Sequence, residues 1–399
     1  MSIKVVRSKD YNYFFNSDTG FFARWGITKE DDPSMSPYGP EIADIEISTI
    51  CNGLGKPCPW CYKSNTRCGK NMNFETFGQL FYKLVNAQVK LTMPDKTISI
   101  VSPNQYGNSV IAKDIKVEKI ANKCLTQIAF GIGDINGNPD LWNIMNYCRK
   151  NEYNPVVPNI TTNGMGVDED IAQKLANVCG AVSVSRYHIE DICYDAIDKL
   201  VKAAKNPGAT LKQVNIHQLL ASETYDSCFK LLDDIKTDSR LAGLNAVVFL
   251  KLKPKGERNK FNSIESQEKF AALIKAAQDK GISIGMDSCT APLMLKYCEQ
   301  NNQDKIIASI EPCESTLFSI YINVDSQVFP CSFAEGTAGW EKGMDIREHE
   351  NFLKDIWLSE RLSGWRNGLL KSSSKCVNCK VSKHCRSCPI YDITICKEK

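Results

Sequence analysis

The stretch ADIEISTICNGLGKPCPWCY, residues 43–62, places three cysteines directly after a strand-like segment. Its first part, ADIEISTI (residues 43–50), predicts a strand. Its second part holds Cys51, Cys58 and Cys61 in a segment rich in glycine and proline, which predicts a loop. Because cysteine thiolates hold iron–sulfur clusters and such a loop can wrap around a cuboidal cluster, these cysteines are candidate cluster ligands. A zinc knuckle and three unrelated thiols are the alternatives.

The cysteine content of the whole chain also indicates a metal or redox role. The chain has 18 cysteines among 399 residues, gathered mainly in residues 51–68 and 289–396. Its first residues, MSIKVVRSKDYNYFF, lack the apolar core of a secretory signal, whereas secreted disulfide scaffolds are short and carry such signals. A long, unexported, cysteine-rich chain is therefore interpreted as metal-binding or redox-active, and a cytoplasmic location is expected.

The remaining bulk properties are those of an ordinary globular protein. Hydrophobic residues make up 43% of the chain, charged residues make up 24%, and the formal net charge is +3. This charge is too small to indicate a surface for nucleic acid or membrane. No segment approaches the roughly 18 uninterrupted apolar residues of a membrane span. We therefore expect neither nucleic acid nor membrane as a partner.

Strand and helix patterns alternate along the chain, which predicts an α/β protein with a parallel sheet and right-handed crossovers. The six predicted strands are residues 43–50, 126–131, 156–161, 181–185, 213–217 and 245–250. The predicted helices are roughly residues 74–88, 139–150, 168–179, 190–205, 223–236 and 263–280. Polar residues end these strands, and in a β/α barrel such ends form the active site, so the pattern favours a partial barrel over an open sheet. The alternative is that the strand ends are polar only because loops are solvated.

The same patterns divide the chain into three parts. Residues 1–42 are an N-terminal extension that ends in the loop DDPSMSPYGPE. Residues 43–284 form the barrel, with an insertion at about residues 91–123 that is longer than a simple connection. Residues 285–399 form a small cysteine-rich domain, in which a turn between LFSIYINV and QVFPC predicts a β-hairpin.

The loop of Cys51, Cys58 and Cys61 resembles the cluster-binding loop of the radical S-adenosylmethionine (SAM) superfamily. In that superfamily three cysteines follow the first barrel strand, usually as C-x3-C-x2-C with an aromatic residue before the third. This chain has C-x6-C-x2-C, with Trp60 in the aromatic position and a longer first gap. The resemblance implies a partial (β/α)6 TIM-type barrel whose three cysteines hold a 4Fe–4S cluster. It also implies that the open iron of that cluster binds SAM.

Segments after the next three strands resemble SAM-binding motifs of the superfamily. FGIGDINGNPDL follows the second strand, where the family has Gly-Gly-Glu-Pro, and NITTNG ends the third, where it often has Thr-Thr-Asn-Gly. AVSVSR ends the fourth strand, where a polar residue commonly reaches the SAM carboxylate or ribose. Taken alone, a Gly-x-Gly after a strand could be a phosphate-binding or simply a tight turn. The resemblance implies a SAM-binding set of Trp60, Gly131, Gly133, Asp134, Thr161, Asn163, Ser185 and Arg186.

The C-terminal cysteines resemble a SPASM domain, the auxiliary-cluster module of many radical SAM enzymes. Its pattern is C-x9–15-G-x4-C, then C-x2-C-x5-C-x3-C and a final cysteine. This chain matches it with Ser326 in place of the glycine and a last internal gap of two residues. By resemblance, one auxiliary 4Fe–4S cluster takes Cys376, Cys379, Cys385 and Cys396. The other takes Cys313, Cys331, Cys388 and Cys289, with Cys298 as the alternative to Cys289.

Other interpretations of these cysteines stay open. One is a zinc ribbon built from the two C-x2-C pairs, although paired zinc knuckles are usually separated by roughly 15 to 20 residues. Cys289 could instead donate a hydrogen atom to a substrate radical, as in some peptide epimerases. The remaining cysteines are expected to be small buried hydrophobes, namely Cys68, Cys124, Cys148, Cys179, Cys193 and Cys228.

These patterns together predict an enzyme with SAM and three 4Fe–4S clusters, one SAM-binding and two auxiliary. Reductive cleavage of SAM would give a 5′-deoxyadenosyl radical that abstracts hydrogen from a substrate. The resemblance favours a peptide or protein substrate and an electron donor such as flavodoxin or ferredoxin. A small-molecule or nucleoside substrate is the first alternative. A non-catalytic iron–sulfur or zinc scaffold is the second.

Overall fold

The structure, a computed structural model, describes residues 3–29, 31–85, 88–92, 97–100, 116–120, 124–152, 154–307, 309–371, 379–386 and 388–391. The strands in these ranges are β1 (Ile3–Arg7), β2 (Asn12–Asn16), β3 (Phe22–Trp25), β4 (Ile42–Glu46), β5 (Gln88–Thr92), β6 (Thr97–Ile100), β7 (Lys116–Ile120), β8 (Gln127–Gly131), β9 (Val157–Thr162), β10 (Ala181–Arg186), β11 (Gln213–Leu220), β12 (Ala246–Lys251), β13 (Ile284–Met286), β14 (Ser319–Ile322), β15 (Gln327–Phe329) and β16 (Met344–Asp345). The α-helices are α1 (Phe74–Leu84), α2 (Leu141–Arg149), α3 (Glu169–Val178), α4 (Glu190–Ala204), α5 (Tyr225–Thr237), α6 (Gln267–Asp279), α7 (Ala291–Gln300), α8 (Asp304–Ile307) and α9 (Glu360–Leu370).

A continuous sheet forms the centre of the molecule, in the order β13-β12-β11-β10-β9-β8-β4-β14-β15-β16. From β4 to β13 each strand is parallel to its neighbours, and helices α1 to α6 alternate with these strands along the chain. A parallel connection needs a crossover, so each helix returns along one face of the sheet and buries it. The fold is therefore the α/β partial barrel that the strand pattern predicts.

Alternating side chains give each barrel strand one face toward the helices and one toward the lumen. In β10, Val184 is fully buried, whereas Ser185 on the other face is half-buried. In β4, Ala43 and Ile45 belong to the hydrophobic core, whereas Asp44 faces the lumen, where its side chain is surrounded by protein yet still reached by solvent. The outer face thus supplies the core, and small or polar residues line the lumen.

The barrel helices are amphipathic, and α1, α3 and α6 begin at side-chain caps. Helix α1 buries Phe77, Phe81 and Leu84 against the sheet. Helix α3 begins after Asp168, whose carboxylate accepts a hydrogen bond from the amide three residues later. Within the described ranges, no helix combines the length and the apolar character that crossing a lipid bilayer requires.

The segment predicted as an N-terminal extension, residues 1–42, contains a three-stranded antiparallel sheet in the order β1-β2-β3. Buried polar contacts attach this sheet to the barrel. Tyr11 Oη donates a hydrogen bond to the Glu41 carboxylate at 2.8 Å. Arg24 forms ion pairs with Glu41 at 3.2 Å and with Glu311 at 2.7 Å.

A second small sheet lies between α1 and β8 along the chain, in the order β6-β5-β7. Both pairs of strands are antiparallel. The sheet occupies the region where the sequence predicts an insertion at about residues 91–123, so the described part of that insertion is a β-structure.

The predicted C-terminal hairpin is present as β14 and β15, which pair antiparallel across a turn in which Ser326 has a φ of +64°. Strand β14 also pairs in parallel with β4, the first barrel strand. The sheet therefore runs across the boundary predicted between residues 284 and 285. Trp357, in a π-helical turn over Phe352–Trp357, donates its indole N–H to the backbone oxygen of Ser36 at 2.8 Å.

Candidate functional site

The three N-terminal cysteines lie on the loop after β4, at the carboxyl end of the first barrel strand. The amide of Cys61 donates a hydrogen bond to the backbone oxygen of Cys58 at 3.3 Å. Gly53 has a φ of +60°, and a Cβ there would lie 2.1 Å from the backbone oxygen of Lys56. Only glycine fits this turn, and its amide nitrogen lies 3.3 Å from Cys51 Sγ.

The thiols of Cys51, Cys58 and Cys61 are half-buried and close enough to repel one another as thiolates. Burial, followed by the neighbouring Cys61 and Cys51 thiolates, raises the pKa of Cys58 to about 12, while Arg258 opposes the rise. Burial also raises the pKa of Cys51, with further contributions from Asp134 and Cys61. A bound metal reverses this balance because it stabilises the thiolate form. The donor set therefore fits a metal cluster.

Gly133 packs directly against the first of these cysteines. A Cβ at this position would lie 2.5 Å from both Cβ and Sγ of Cys51, and 3.3 Å from its Cα. No side chain fits at such distances. The structure therefore places Gly133, predicted as a SAM-binding residue, where it leaves room for the first cysteine.

Asp134 holds the cysteine loop through its carboxylate. One oxygen accepts hydrogen bonds from Asn52 N at 2.8 Å and from Asn52 Nδ2 at 2.5 Å. The other accepts from Asn163 Nδ2 at 2.7 Å, and the amide of Asn163 donates to the backbone oxygen of Gly133 at 3.3 Å. The second and third strand ends are thus tied to the loop that carries Cys51. Asn52 was not predicted as a site residue, although its position directly after the first cysteine indicates that it belongs to the cluster loop.

The other predicted strand-end residues line the same mouth. Gly131 and Thr161 are partners in the register of β8 and β9. Ser185 is the partner of His217 in the register of β10 and β11, and its hydroxyl hydrogen-bonds to Tyr187. Because these side chains are small or polar, they leave the lumen open at its carboxyl end.

Trp60 belongs to an aromatic cluster beside the cysteine loop. Its ring centroid lies 5.5 Å from that of Tyr187 and 5.1 Å from that of Phe261. Burial, then the Cys58 and Cys61 thiolates, raises the pKa of Tyr187, so its hydroxyl is near the cysteines. Such rings can flank a flat heterocycle. Sequence analysis missed Tyr187, which directly follows the fourth strand, and Phe261, for which no local pattern exists.

Arg186 lies away from this mouth. It is 3% exposed, and its guanidinium donates to Tyr194 Oη at 2.9 Å, to Gln218 Oε1 at 3.0 Å and to Ser227 Oγ at 2.6 Å. It also pairs with Glu190 at the start of α4. These contacts lie between the sheet and its helices, because Arg186 follows Val184 on the outer face. The position corrects the expectation of a cofactor contact, and Arg186 is left out of the proposed site.

Asp44 and His217 are titratable side chains that face the lumen. Burial raises the pKa of Asp44 to about 6. Burial lowers the pKa of His217 to about 4, although Asp287 opposes this shift. Among the described residues, neither side chain has a hydrogen-bond partner. Asp44 was not predicted as a site residue, although an acidic residue inside a central strand indicates a functional position.

Cys289, Cys313, Cys331 and Cys388 come together although they are distant in sequence. Burial, then the Cys289 and Cys331 thiolates, raises the pKa of Cys313, and Cys388 contributes as well. Burial raises the pKa of Cys289 to about 12 and that of Cys331 to about 11, and Cys388 adds to both. These are the four cysteines that the resemblance groups in one auxiliary site. The alternative, Cys298, is fully buried in α7.

The other predicted auxiliary ligands are only partly described. Cys379 and Cys385 flank a short turn in which the amide of Ser382 donates to the backbone oxygen of Cys379 at 3.2 Å. Cys376 and Cys396 lie outside the described residues. In the part of the chain that the structure covers, no cysteine forms a disulfide. No group of three or more His, Cys, Asp or Glu side chains there has the spacing for a single metal ion.

Five of the six cysteines expected to be small hydrophobes are buried. The five are at most 1% exposed and are Cys124, Cys148, Cys179, Cys193 and Cys228. Cys68, near the cysteine loop, is exposed.

A cavity of about 410 Å³ lies between the cysteine loop and the C-terminal hairpin. Lys63 Nζ in its wall pairs with Glu46 at 3.1 Å and with Glu335. Tyr321 Oη accepts a hydrogen bond from Lys63 at 2.8 Å and donates one to Glu46 at 3.1 Å. The volume is within the usual range for small-ligand sites. The charged side chains of its wall form ion pairs with one another, so the cavity is polar without a large excess charge.

Structural comparison relates this arrangement to proteins crystallised with SAM and with peptides. The crystal structure of Streptococcus suis SuiB bound to S-adenosylmethionine superposes with a TM-score of 0.62 at 11% identity, covering 97% of this chain and 94% of SuiB. SuiB bound to precursor peptide SuiA covers the same shares with a TM-score of 0.64 at 13% identity. The anSMEcpe structure with bound AdoMet has a TM-score of 0.55 at 16% identity, covering 90% of this chain and 88% of anSMEcpe. The chain has the fold of SuiB and anSMEcpe.

This similarity is one of structure, since neither a protein-family model nor a curated protein matches the sequence. The fold of SuiB extends over nearly the whole chain, so it includes both the barrel and the cysteine-rich C-terminal part. The fold expected from the radical SAM resemblance is thereby confirmed.

Proposed function

We propose that this chain is a radical SAM enzyme that modifies a peptide or protein. The observation that carries the proposal is the group of three thiols, Cys51, Cys58 and Cys61, at the carboxyl end of the first barrel strand. In β/α barrels this end of the strands forms the active site. SuiB and anSMEcpe share the fold and are crystallised with SAM and with peptides, which supports both as ligand classes here.

The residues at this mouth fit a 4Fe–4S cluster with one open iron. When bound, such a cluster supplies the electron that cleaves SAM to methionine and a 5′-deoxyadenosyl radical. Cys51, Cys58 and Cys61 would hold it, and Asp134 with Asn163 would keep the loop in place. Trp60 and its aromatic neighbours would flank the adenine and exclude water from the reacting atoms.

Two auxiliary clusters complete the proposal. The thiols of Cys289, Cys313, Cys331 and Cys388 would hold one, which makes Cys289 a ligand rather than a hydrogen donor. The other is assigned to Cys379 and Cys385 together with Cys376 and Cys396. None of the described cysteines forms a disulfide, which fits a reducing compartment such as the cytoplasm. The proposed electron donor is a flavodoxin or ferredoxin.

The lumen and the adjoining cavity are the proposed place for the substrate. The small residues Gly131 and Ser185 leave space at the mouth, and Asp44 and His217 offer polar contacts below it. The cavity beside Lys63 offers a path between the cysteine loop and the hairpin. A peptide could extend through this path while one residue enters the lumen.

The proposal is tested by measuring 5′-deoxyadenosine after anaerobic reconstitution with iron and sulfide and addition of SAM and dithionite. We expect the wild type to release it, Cys58→Ala to release none, and Cys68→Ala, which removes an exposed thiol near the same loop, to behave as wild type. Iron-loaded wild type that is inactive with every substrate pool, or an active Cys58→Ala variant, would contradict the proposal. Faster release with a synthetic peptide pool than with a nucleoside pool would identify the substrate class.

A further inference from the structure

Three lysines follow one another at alternate positions where β12 ends, in the segment KLKPK, residues 251–255. Lysine is almost never fully buried unless it is paired. Lys251 and Lys253 are nevertheless only 7% and 4% exposed, and Lys255 is half-buried. The proposed cleavage of SAM gives none of these lysines a role.

Lys253 lies between two of the turns that carry the four C-terminal thiols. Its ammonium forms an ion pair with the carboxylate of Asp287, two residues before Cys289. The same ammonium is 4.9 Å from the ring centroid of Phe333, two residues after Cys331. One buried positive charge thus contacts the neighbours of two of the four thiols.

Lys255 lies close by but contacts backbone oxygens instead of a carboxylate. Its ammonium donates hydrogen bonds to the backbone oxygens of Ser332 and Glu335, both at 2.8 Å. These bonds anchor the turn after Cys331. Lys255 therefore anchors the turn after Cys331, whereas Lys253 contacts residues beside both Cys289 and Cys331.

Lys253 keeps its charge in this environment. Burial lowers its pKa, but Asp287 and Cys289 outweigh that effect and the pKa is raised overall. The Lys253 ammonium contacts neighbours of both Cys289 and Cys331, whereas its partner Asp287 lies beside Cys289 alone. The positive charge of the pair therefore lies next to residues beside two of the four thiols.

We infer that Lys253 raises the reduction potential of the auxiliary cluster proposed at Cys289, Cys313, Cys331 and Cys388, and that Asp287 opposes it. Reduction adds negative charge to a cluster, and a nearby positive charge stabilises the reduced form. The charge, hydrogen bonding and solvent exposure around a cluster set its potential. The inference rests on the proposed auxiliary cluster. In it, Lys253 acts on electron transfer through its charge, without contacting the substrate.

The test is an EPR-monitored redox titration of the full chain, reconstituted anaerobically. The background carries Cys51→Ala, Cys58→Ala and Cys61→Ala, and Cys331→Ala identifies the signal of the four-thiol cluster. We expect Lys253→Met to reduce the ratio of reduced to oxidised cluster at least tenfold at a fixed potential, which for one electron is a shift of about 59 mV. Lys253→Arg should stay near wild type, as should Lys275→Met, whose lysine is 70% exposed.

Asp287→Asn separates a charge effect from a structural one. It breaks the same ion pair as Lys253→Met but removes the opposite charge, so the inference requires the potential to rise. Two shifts of the same sign, or an unchanged potential in Lys253→Met, would overturn it. If Lys253→Met loses the cluster, Lys253→Gln takes its place in the comparison. If the iron content of reconstituted Cys331→Ala is no lower than that of its parent, the auxiliary cluster itself is refuted. The release of 5′-deoxyadenosine by the wild type tests the proposed function independently.

Discussion

At the scale of single residues, the site depends on close approaches that leave no room for a side chain. At Gly133 a Cβ would be 2.5 Å from both Cβ and Sγ of Cys51. We predict that Gly133→Ala displaces Cys51 and that the reconstituted protein loses most of its SAM cleavage. The overpacking should also lower the free energy of unfolding by about 1–3 kcal/mol. The measurements are 5′-deoxyadenosine release and urea unfolding of the metal-free protein.

Gly78→Ala is the matched control for this substitution. Gly78 lies in α1, and a Cβ there would have nothing within 4 Å. Because alanine restricts the unfolded chain more than glycine does, this variant should be more stable by about 0.5–1 kcal/mol and fully active. Normal activity in Gly133→Ala would show that the cysteine loop can move aside.

Asp44 predicts a pH dependence of stability. Burial raises its pKa from the ordinary 3.8 to about 6, so the folded protein binds this proton more tightly than the unfolded chain does. The contribution of Asp44 to stability therefore falls as pH rises from about 4 to about 6 and stays low above that. We expect metal-free Asp44→Asn to melt at a higher temperature than wild type at pH 7.5, with a smaller difference at pH 4.5.

Calorimetry at the two pH values checks this prediction. Asp226→Asn, which removes an exposed carboxylate from α5, should show no comparable gain at pH 7.5. An Asp44→Asn variant that is less stable than wild type at pH 7.5 would mean that the carboxylate is stabilised in the lumen.

At the scale of elements, a buried arginine is one of the contacts that attach the N-terminal sheet to the barrel. Arg24 has a side chain 7% exposed and pairs with Glu41, Glu311 and Glu314. We predict that Arg24→Met destabilises the protein by about 3–5 kcal/mol, because it leaves buried carboxylates without their cation. The loss should be smaller at pH 5, because burial raises the pKa of Glu41 and of Glu311 to about 7 and these two carboxylates are then protonated. Urea unfolding at both pH values measures it.

Arg240→Met is the comparison for an arginine near the surface. Its side chain is 30% exposed and also pairs with three carboxylates, those of Asp191, Asp195 and Asp238. Exposed ion pairs contribute about 0–1 kcal/mol, so this variant should be nearly as stable as wild type. Equal losses in the two variants would show that burial does not determine the strength of the Arg24 attachment.

The barrel strands could be predicted from sequence because each carries its own signal. The predicted ranges 181–185 and 213–217 lie within β10 and β11 as observed, since both segments alternate apolar residues with small or polar ones, which is the pattern of a strand. The three-cysteine loop and the strand ends were predictable for the same reason, because their patterns are local.

Contacts between distant segments could not be predicted in this way. The pairing of β14 with β4 joins segments about 280 residues apart, and no local pattern specifies it. Arg186 was assigned to the mouth because it ends the fourth strand, where the family has a polar residue that reaches SAM, but alternation along the strand turns its side chain to the helices. The direction of a side chain at a strand end thus depends on the register of the whole strand.

At the scale of the whole molecule, the C-terminal part completes the sheet of the barrel. Strand β14 covers the edge of β4 from residue 42 to residue 45. Without β14 the first barrel strand would become an exposed edge, and Arg24 would lose Glu311 and Glu314. We predict that a fragment of residues 1–307, which retains every barrel strand, does not unfold cooperatively. Circular dichroism and tryptophan fluorescence followed in urea measure this.

A fragment of residues 1–371 is the matched control, because it keeps β14, β15, β16 and α9 and lacks only the last cysteines. It should unfold in one cooperative transition even though it lacks Cys388 and cannot hold either auxiliary cluster as proposed. If the 1–307 fragment unfolds as cooperatively as the 1–371 fragment, then the barrel is an independent domain and the boundary predicted near residue 284 is a true one. If only the longer fragment does so, the barrel and the hairpin fold as one unit, and the four-thiol site is held rigidly against the lumen.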